Sequence, residues 1–247
     1  MVKGILKISQ ISIIFILKFP VIVFFIILLP FFSSFLKAES YAVATRHHLA
    51  TDIGMEVLGE GGNAIDAAVA VAFALAVVNP SAGNLGGGGF MLLHLAETNE
   101  TFTIDYRERA PNKSFEKMFQ DNSGNIVKGL SLNSILASGV PGTVSGMFYA
   151  SEKFGTIKIK NLIKPSIELA KKGFVLSNFQ AENLNKYKEK FSKNKEAKKI
   201  FTRPKGFSEG DFLVQRNLAK TLERIAQNGK EEFYSGETAK KISKFFQ

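Results

Sequence analysis

The segment Ala64–Val78 constrains the fold most, because all of its residues except one are apolar. A helix that is apolar on every side has to be covered by other elements all round. Asn63, just before the segment, is a favourable N-cap residue. Pro80 biases the residue before it away from the helical conformation, so the helix should stop there. The sequence therefore predicts a central, buried helix over Ala64–Val78.

Asp66 is the lone charged residue of this helix. A catalytic carboxylate is one interpretation. The favoured one is structural, because an anion near a helix N-terminus is stabilised by the helix dipole and by unpaired N–H groups. We therefore expect Asp66 to accept hydrogen bonds close to the start of the helix.

Two elements are predicted before the central helix. Weak alternation over Tyr41–Thr45 predicts a short strand, and His48–Leu58 has apolar residues at helical spacing. The Gly61-Gly62 pair should end that helix, because glycine adopts a positive φ at a helix C-terminus at low cost.

A glycine-rich loop over Gly83–Gly89 follows the central helix. It lacks the Lys-Ser/Thr of a phosphate-binding loop and the spacing of a dinucleotide fingerprint. We therefore expect these glycines to let the backbone approach another backbone or a substrate closely. Phe90–Ala96 and Thr101–Tyr106 then predict two strands joined by a short polar turn.

Arg107 stands at the end of this predicted hairpin. A guanidinium is permanently charged and matches a carboxylate with two parallel hydrogen bonds. An arbitrary arginine is a solvated surface charge, but one held at the end of an apolar hairpin is a candidate binding residue. Arg107 is therefore the candidate carboxylate clamp.

The remainder of the chain is predicted to be largely helical, with glycines between the helices. The expected helices are Thr143–Lys153, Lys160–Lys171, Asn178–Phe191, Leu213–Gln227 and Glu237–Phe246.

Residues 1–38 are predicted to lie outside the folded domain, which we expect over residues 39–247. Lys3 and Lys7 form a basic start, and Phe19–Leu36 carries no charge. A polar segment begins directly after it, which is typical of a secretory signal cleaved after Ala38. The rival interpretation is an uncleaved anchor, since these 18 residues nearly span a bilayer core of about 30 Å. Both predict an exported protein, secreted or periplasmic, whose membrane contact would be the leader alone.

The formal net charge of +10 is concentrated in that leader and in Lys186–Lys205, which carries nine basic and two acidic residues. A nucleic-acid interface is one interpretation of the second stretch. No aromatic platform or known motif accompanies it, and Lys/Glu mixtures usually form a solvated helix face. No nucleic-acid partner is therefore expected.

The sequence contains few residues that could form a catalytic or metal-binding site. The chain has no cysteine, which excludes disulfides, thiolate metal sites and cysteine nucleophiles. Its three histidines, His47, His48 and His94, show no metal-ligand spacing, and there is no Gly-x-Ser-x-Gly elbow. No metal and no cofactor are predicted, and the residues alone indicate an anion clamp without a recognisable catalytic group.

Four ordered segments resemble those of a known family, namely Glu60–Ala70, Asn84–Met91, Asp105–Pro111 and Ala137–Val144. They are similar to segments of the γ-glutamyltranspeptidase family. Leu213–Ala219 and Phe233–Gly236 continue the match, which covers essentially all of residues 41–247.

This resemblance implies a fold and an activity. The family has the N-terminal-nucleophile hydrolase fold, an αββα sandwich. The chain would form an incomplete α+β portion of it, from the large subunit only, with a helix-rich C-terminal half. The family precursor cleaves itself, and the new N-terminal Thr of the small subunit attacks a γ-glutamyl amide. The Arg of the family's Arg-Glu-x-Ala-Pro motif grips the glutamate α-carboxylate and corresponds to Arg107.

The resemblance also implies what to expect beyond Gln247. The family precursor is much longer, and its nucleophilic Thr would lie after that residue. No Thr of this chain, Thr143 included, stands in the required context, so no catalytic residue is assigned. We therefore expect a fragment, truncated frame or degenerate copy of a γ-glutamyltransferase and glutathione hydrolase.

The expected partners are glutathione, other γ-glutamyl compounds and the small subunit of the same precursor. The alternatives are a non-catalytic exported binding or structural protein, or part of a related acylase.

Overall fold

A computed structural model describes residues 41–246, and from Val43 onward these form one compact unit. The helices in chain order are α1 (His48–Gly59), α2 (Ala64–Val78), α3 (Leu130–Asn133), α4 (Thr143–Phe154), α5 (Ile159–Lys172), α6 (Asn178–Lys186), α7 (Lys188–Ser192), α8 (Lys195–Phe201), α9 (Arg216–Asn228), α10 (Lys230–Tyr234) and α11 (Glu237–Phe245). A single 3₁₀ turn, Ile135–Ala137, follows α3. The strands are β1 (Phe90–Leu95), β2 (Glu100–Asp105), β3 (Phe174–Val175) and β4 (Phe212–Leu213).

Helix α2 lies at the centre of the core, as its composition predicts. It packs against α1, α4 and α5, and its residues Val69, Phe73 and Val77 are almost fully buried. Helix α5 in turn packs against α9, which buries Leu222 and Ile225. Burying apolar side chains of this size stabilises the fold by about 1.5–3 kcal/mol each. The helical layers around α2 therefore provide most of the core.

The start of α2 is fixed by a reciprocal cap. The Asn63 side chain accepts hydrogen bonds from the N–H groups of Ile65 and Asp66, and Asp66 Oδ2 accepts the Asn63 N–H at 3.0 Å. Asp66, fully buried, also accepts the N–H groups of Thr156 and Ile157 and the Thr156 hydroxyl. Burial alone would raise the pKa of Asp66, but these hydrogen bonds lower it. The structural interpretation of Asp66 is confirmed.

Two glutamines from distant elements donate hydrogen bonds to carbonyl groups at the end of α2. Gln215 Nε2 donates to the Val77 carbonyl at 2.7 Å, and Gln180 Nε2 donates to the Val78 carbonyl at 2.8 Å. The last carbonyls of a helix have no partner within the helix. These two side chains therefore tie the C-terminal half of the chain to the central helix.

Strands β1 and β2 form an antiparallel hairpin, paired from Phe90↔Asp105 to Leu95↔Glu100. The inner face packs on the core and buries Leu93 and Ile104. On the outer face Phe90 is 61% exposed and Leu92 is 74% exposed. The hairpin therefore presents an apolar surface that no described element covers.

Some local predictions are wrong. Residues 41–45 are not a strand, since no described strand pairs with them. The predicted helix Asn178–Phe191 breaks at Tyr187 into α6 and α7. Leu213 belongs to β4, which pairs with β3, so the next helix begins later, at Arg216. The remaining predicted helices and the hairpin are confirmed within one or two residues.

Residues 41–246 include no helix that is both long and apolar enough to cross a membrane. The predicted leader, residues 1–38, lies outside the described residues.

Candidate functional site

A cleft of about 550 Å³ opens where β2, the segment after it and the start of α4 meet. Arg107 lines this cleft together with Arg109, Asp105 and Tyr106. Tyr149 and Tyr234 contribute from α4 and α10. The structure therefore places the predicted binding residue Arg107 in a concave site between four elements.

The wall of the cleft depends on very close backbone approach. A Cβ on Gly142 or on Gly88 would overlap the carbonyl oxygen of Tyr106, and one on Gly146 would overlap the Tyr106 ring. The prediction that the glycine loop lets one backbone approach another is confirmed at Gly88. Glycine at these positions brings the start of α4 against the segment that carries Arg107.

The glycine loop also pairs with the start of α4. The Gly87 carbonyl accepts the N–H groups of Gly142 at 2.7 Å and Thr143 at 3.0 Å. Free N–H groups at a helix N-terminus would attract a phosphate. These two already have a protein acceptor, so the loop serves as a structural cap. Thr143 itself is buried, and its hydroxyl lies 3.4 Å from Asn84 Oδ1.

The backbone around Arg107 is held on both sides. Asp105 Oδ1 accepts the Arg107 N–H at 2.9 Å, forming the kind of side-chain turn that redirects a chain after a strand. Two residues on, Arg109 and Val140 exchange backbone hydrogen bonds of 3.1 and 2.7 Å. The exposed Arg107 side chain therefore projects from a fixed segment.

No carboxylate within residues 41–246 lies within 4.0 Å of the Arg107 guanidinium, and no described side chain accepts a hydrogen bond from it. The guanidinium of Arg107 thus stays available for an anionic ligand.

Tyr234 links α10 to the start of α4. Its hydroxyl donates to the Pro141 carbonyl at 3.0 Å and accepts the Ser145 N–H at 3.0 Å. Burial raises the pKa of Tyr234, an effect that the Ser145 N–H opposes, and burial also raises the pKa of Tyr106. Both phenols therefore stay protonated at neutral pH and act as packing and hydrogen-bonding groups.

The role of Tyr234 was missed by sequence reasoning. Phe233–Gly236 was noted only as part of a family match, and the contact with Pro141 spans 93 residues. No local pattern encodes a contact of that separation.

The histidines take structural positions. His47 Nδ1 accepts the Leu49 N–H at 3.3 Å and so caps α1, and its ring stacks on His48. Burial, and then the neighbouring His48, lower the pKa of His47. His94 lies on the exposed face of β1 and pairs with Thr101 at 3.0 Å. Among the described residues, no group of three or more His, Cys, Asp or Glu could hold a metal ion.

Comparison with known proteins gives one family. The model of the family described as Gamma-glutamyltranspeptidase matches residues 50–247. The glutathione hydrolase proenzyme of Pseudomonas sp. (strain A14) is 49% identical over 207 residues, which are 83% of this chain and 36% of that protein. The glutathione hydrolase proenzyme of Escherichia coli (strain K12) is 46% identical over 213 residues, 85% of this chain and 37% of that protein.

A solved structure agrees with these matches. The crystal structure of Helicobacter pylori gamma-glutamyltranspeptidase superposes with a TM-score of 0.81 and 48% identity, covering 85% of this chain and 60% of that chain. This chain thus spans little more than a third of the length of the two curated relatives.

Proposed function

The chain belongs to the γ-glutamyltranspeptidase family, and we propose that it supplies the N-terminal part of the large subunit of a glutathione hydrolase and γ-glutamyltransferase. The family model covers residues 50–247, and two relatives are named glutathione hydrolase proenzymes. The proposed substrates are glutathione and other γ-glutamyl compounds. The γ-glutamyl group would pass to water or to an amino acid or peptide.

The observation that carries this proposal is the position of Arg107. Its guanidinium lines the cleft, its backbone is fixed by Asp105, and no described carboxylate pairs with it. Two parallel N–H donors match the two oxygens of a carboxylate. The γ-glutamyl group carries an α-carboxylate at the end remote from its reacting amide. Arg107 would therefore hold that end and fix the distance to the nucleophile.

The nucleophile is proposed to come from the partner subunit. In the family, self-cleavage of a precursor creates an N-terminal Thr on the small subunit. Its hydroxyl would attack the γ-carbonyl carbon while its α-amine takes the proton, and this proton would pass to the amide nitrogen as the amide bond breaks, leaving the γ-glutamyl group as an ester on the Thr. Water or an acceptor amine then releases the γ-glutamyl group. The described residues of this chain would bind and orient the substrate in that reaction.

The exposed face of the β1–β2 hairpin supports an incomplete αββα sandwich. A two-stranded hairpin is marginal in water without further strands or a covering layer. Phe90 and Leu92 on its outer face are 61% and 74% exposed. We propose that strands from the rest of the precursor cover this face and complete the sandwich. No contact of the described residues favours the alternatives, a non-catalytic exported protein or a related acylase.

We also propose that residues 1–38 form a leader and residues 39–247 an exported domain, secreted or periplasmic. The basic start, the uncharged stretch Phe19–Leu36 and the polar switch after it support this division. Mass spectrometry of the exported protein should find an N-terminus within a few residues of Glu39. An intact Met1 in the membrane fraction would instead establish an anchor.

The proposed function is tested at Arg107 in a hybrid enzyme. In this hybrid, residues 41–247 replace the matching segment of the Escherichia coli relative, so that the nucleophile is supplied. Arg107→Ala should raise KM for a γ-glutamyl anilide about 30-fold, because a charge-assisted bidentate contact is lost. Arg107→Lys keeps the charge but loses the fork, so KM should rise less. Self-cleavage should survive at least in part in both variants.

The matched control is Arg216→Ala, which removes an exposed arginine outside the cleft and should leave KM unchanged. If the Arg107→Ala hybrid is processed and active with an unchanged KM, Arg107 is not the carboxylate clamp and Arg109 becomes the next candidate.

A further inference from the structure

Arg109 is a second cation in the same cleft. Of the segment after β2, Arg107 and Arg109 line the cleft and Glu108 does not. A Cβ added to Gly139, which does not line the cleft, would lie 2.8 Å from Glu108 Cβ, so the Glu108 side chain starts towards Gly139. Arg107 and Arg109 therefore both line the cleft, and the carboxylate between them is not part of its lining.

The backbone of Arg109 is held by hydrogen bonds, whereas its guanidinium has no carboxylate partner among the described residues. The backbone exchange with Val140 holds it, while its side chain is exposed. Within residues 41–246 no carboxylate lies within 4.0 Å of its guanidinium. Asp105 is the lone carboxylate in the lining, and its Oδ1 already accepts the Arg107 N–H. The charged side chains that line the cleft thus sum to +1.

This charge pattern matches a particular class of γ-glutamyl compound. A γ-glutamyl peptide such as glutathione carries two carboxylates and one ammonium at neutral pH, for a net charge of −1. Its two carboxylates lie at opposite ends of the molecule, on either side of the γ-amide. Residues two apart in a chain are separated by at most roughly 7 Å, and each arginine side chain extends further, so two such cations can engage separate ends of one ligand.

We propose that Arg109 binds the C-terminal carboxylate of the leaving peptide, which in glutathione is the glycine carboxylate. The proposal rests on the proposed function, in which Arg107 holds the α-carboxylate. It makes Arg109 a specificity-determining residue, since substrates that lack a second carboxylate gain nothing from it. An exposed charge pair contributes less than a shielded one, so the effect of Arg109 is smaller than that of Arg107.

The test compares three substrates in the hybrid enzyme: glutathione, glutathione with its glycine carboxylate converted to an amide, and a γ-glutamyl anilide. Arg109→Ala should raise KM for glutathione about 5-fold with kcat unchanged. It should leave KM for the amide and the anilide unchanged. Arg109→Lys should keep part of the preference for glutathione over its amide, because it keeps the charge.

Two further comparisons sharpen the result. Arg107→Ala should raise KM for all three substrates, whereas the control Arg216→Ala should affect none. Raising the salt concentration should narrow the preference for glutathione over its amide, because exposed charges are screened. In Arg109→Ala, added salt should leave the ratio of the KM values for glutathione and its amide unchanged.

The possible failures are distinguishable. An equal rise in KM for all three substrates in Arg109→Ala would overturn the inference and assign the α-carboxylate to Arg109. Unchanged KM values in Arg109→Ala, with Arg107→Ala impaired, would overturn the inference alone. If the hybrid does not cleave itself, isothermal titration calorimetry can test the inference instead, by comparing how tightly the 247-residue chain binds glutathione and its amide. A preference for glutathione that Arg109→Ala removes supports the inference, and equal binding of the two overturns it.

Discussion

Gly142→Ala should destabilise the chain by about 3 kcal/mol, because its Cβ meets backbone that has no room to move. The new atom would overlap the Tyr106 carbonyl oxygen and lie 3.1 Å from that of Arg107. Gly142 cannot shift away freely, since its N–H donates to the Gly87 carbonyl at 2.7 Å. Its own φ of −111° suits alanine, so the expected cost is steric. Urea unfolding followed by circular dichroism measures the change.

The matched control lies in the glycine loop itself. A Cβ on Gly86 would meet no atom within 4 Å, and its φ lies outside the positive range. Gly86→Ala should therefore change the free energy of unfolding by less than about 0.5 kcal/mol. In the hybrid enzyme, Gly142→Ala should also weaken γ-glutamyl binding, because the segment that carries Arg107 is displaced. Equal stability of the two variants would contradict the close approach of α4 to Tyr106.

The parts of the fold that were predictable are encoded locally. Helix α2 follows from its continuous apolar sequence, from Asn63 and from Pro80. The hairpin follows from two short apolar runs around a polar turn. The position of Arg107 at the end of the hairpin was predictable because it needs only the strand before it and the turn after it, whereas its role as a carboxylate clamp stays a prediction. Each of these features depends on residues within one turn or one hairpin of each other.

The features that could not be predicted from the sequence depend on contacts between residues far apart in the chain. The glycine loop predicted a close approach, but neither its partner Tyr106 nor the role of Gly142 follows from spacing. Tyr234 reaches the cleft wall from 93 residues away. Strands β3 and β4 are two residues long and exist because they pair with each other across the chain. Helix α8 was not predicted because its lysine-rich sequence has few apolar residues at helical spacing, although Asn194 is a favourable N-cap residue that accepts two N–H groups at its start.

Glu232 is buried and anchors the C-terminal helices, in part through an ion pair with the partly exposed Arg224. Its carboxylate accepts Arg224 Nε at 2.6 Å and the Thr238 hydroxyl at 2.7 Å, and the Glu237 and Thr238 N–H groups complete the set. Burial would raise the pKa of Glu232, but these hydrogen bonds outweigh it and lower the pKa from 4.5 to about 2. The carboxylate therefore stays charged in the fold.

Glu232→Gln should lower the free energy of unfolding at neutral pH by about 3 kcal/mol, because a buried, hydrogen-bonded carboxylate is removed. The Arg224 guanidinium then loses its counter-charge. The matched control is Glu168→Gln, which breaks an exposed pair with Lys172 of 2.8 Å. Both partners of this exposed i,i+4 pair are solvated and the pair adds little to stability, so the free energy of unfolding of Glu168→Gln should stay close to that of the parent.

The lowered pKa of Glu232 makes the free energy of unfolding depend on pH. A carboxylate with a lower pKa in the fold than in the unfolded chain stabilises the fold at pH values above the unfolded pKa. This contribution should be complete above pH 4.5 and should be lost as the pH falls towards about 2. The difference in unfolding free energy between parent and Glu232→Gln, measured from pH 6 down to 2, should therefore shrink across this window. Parallel curves for parent and variant would contradict a charged Glu232 in the fold.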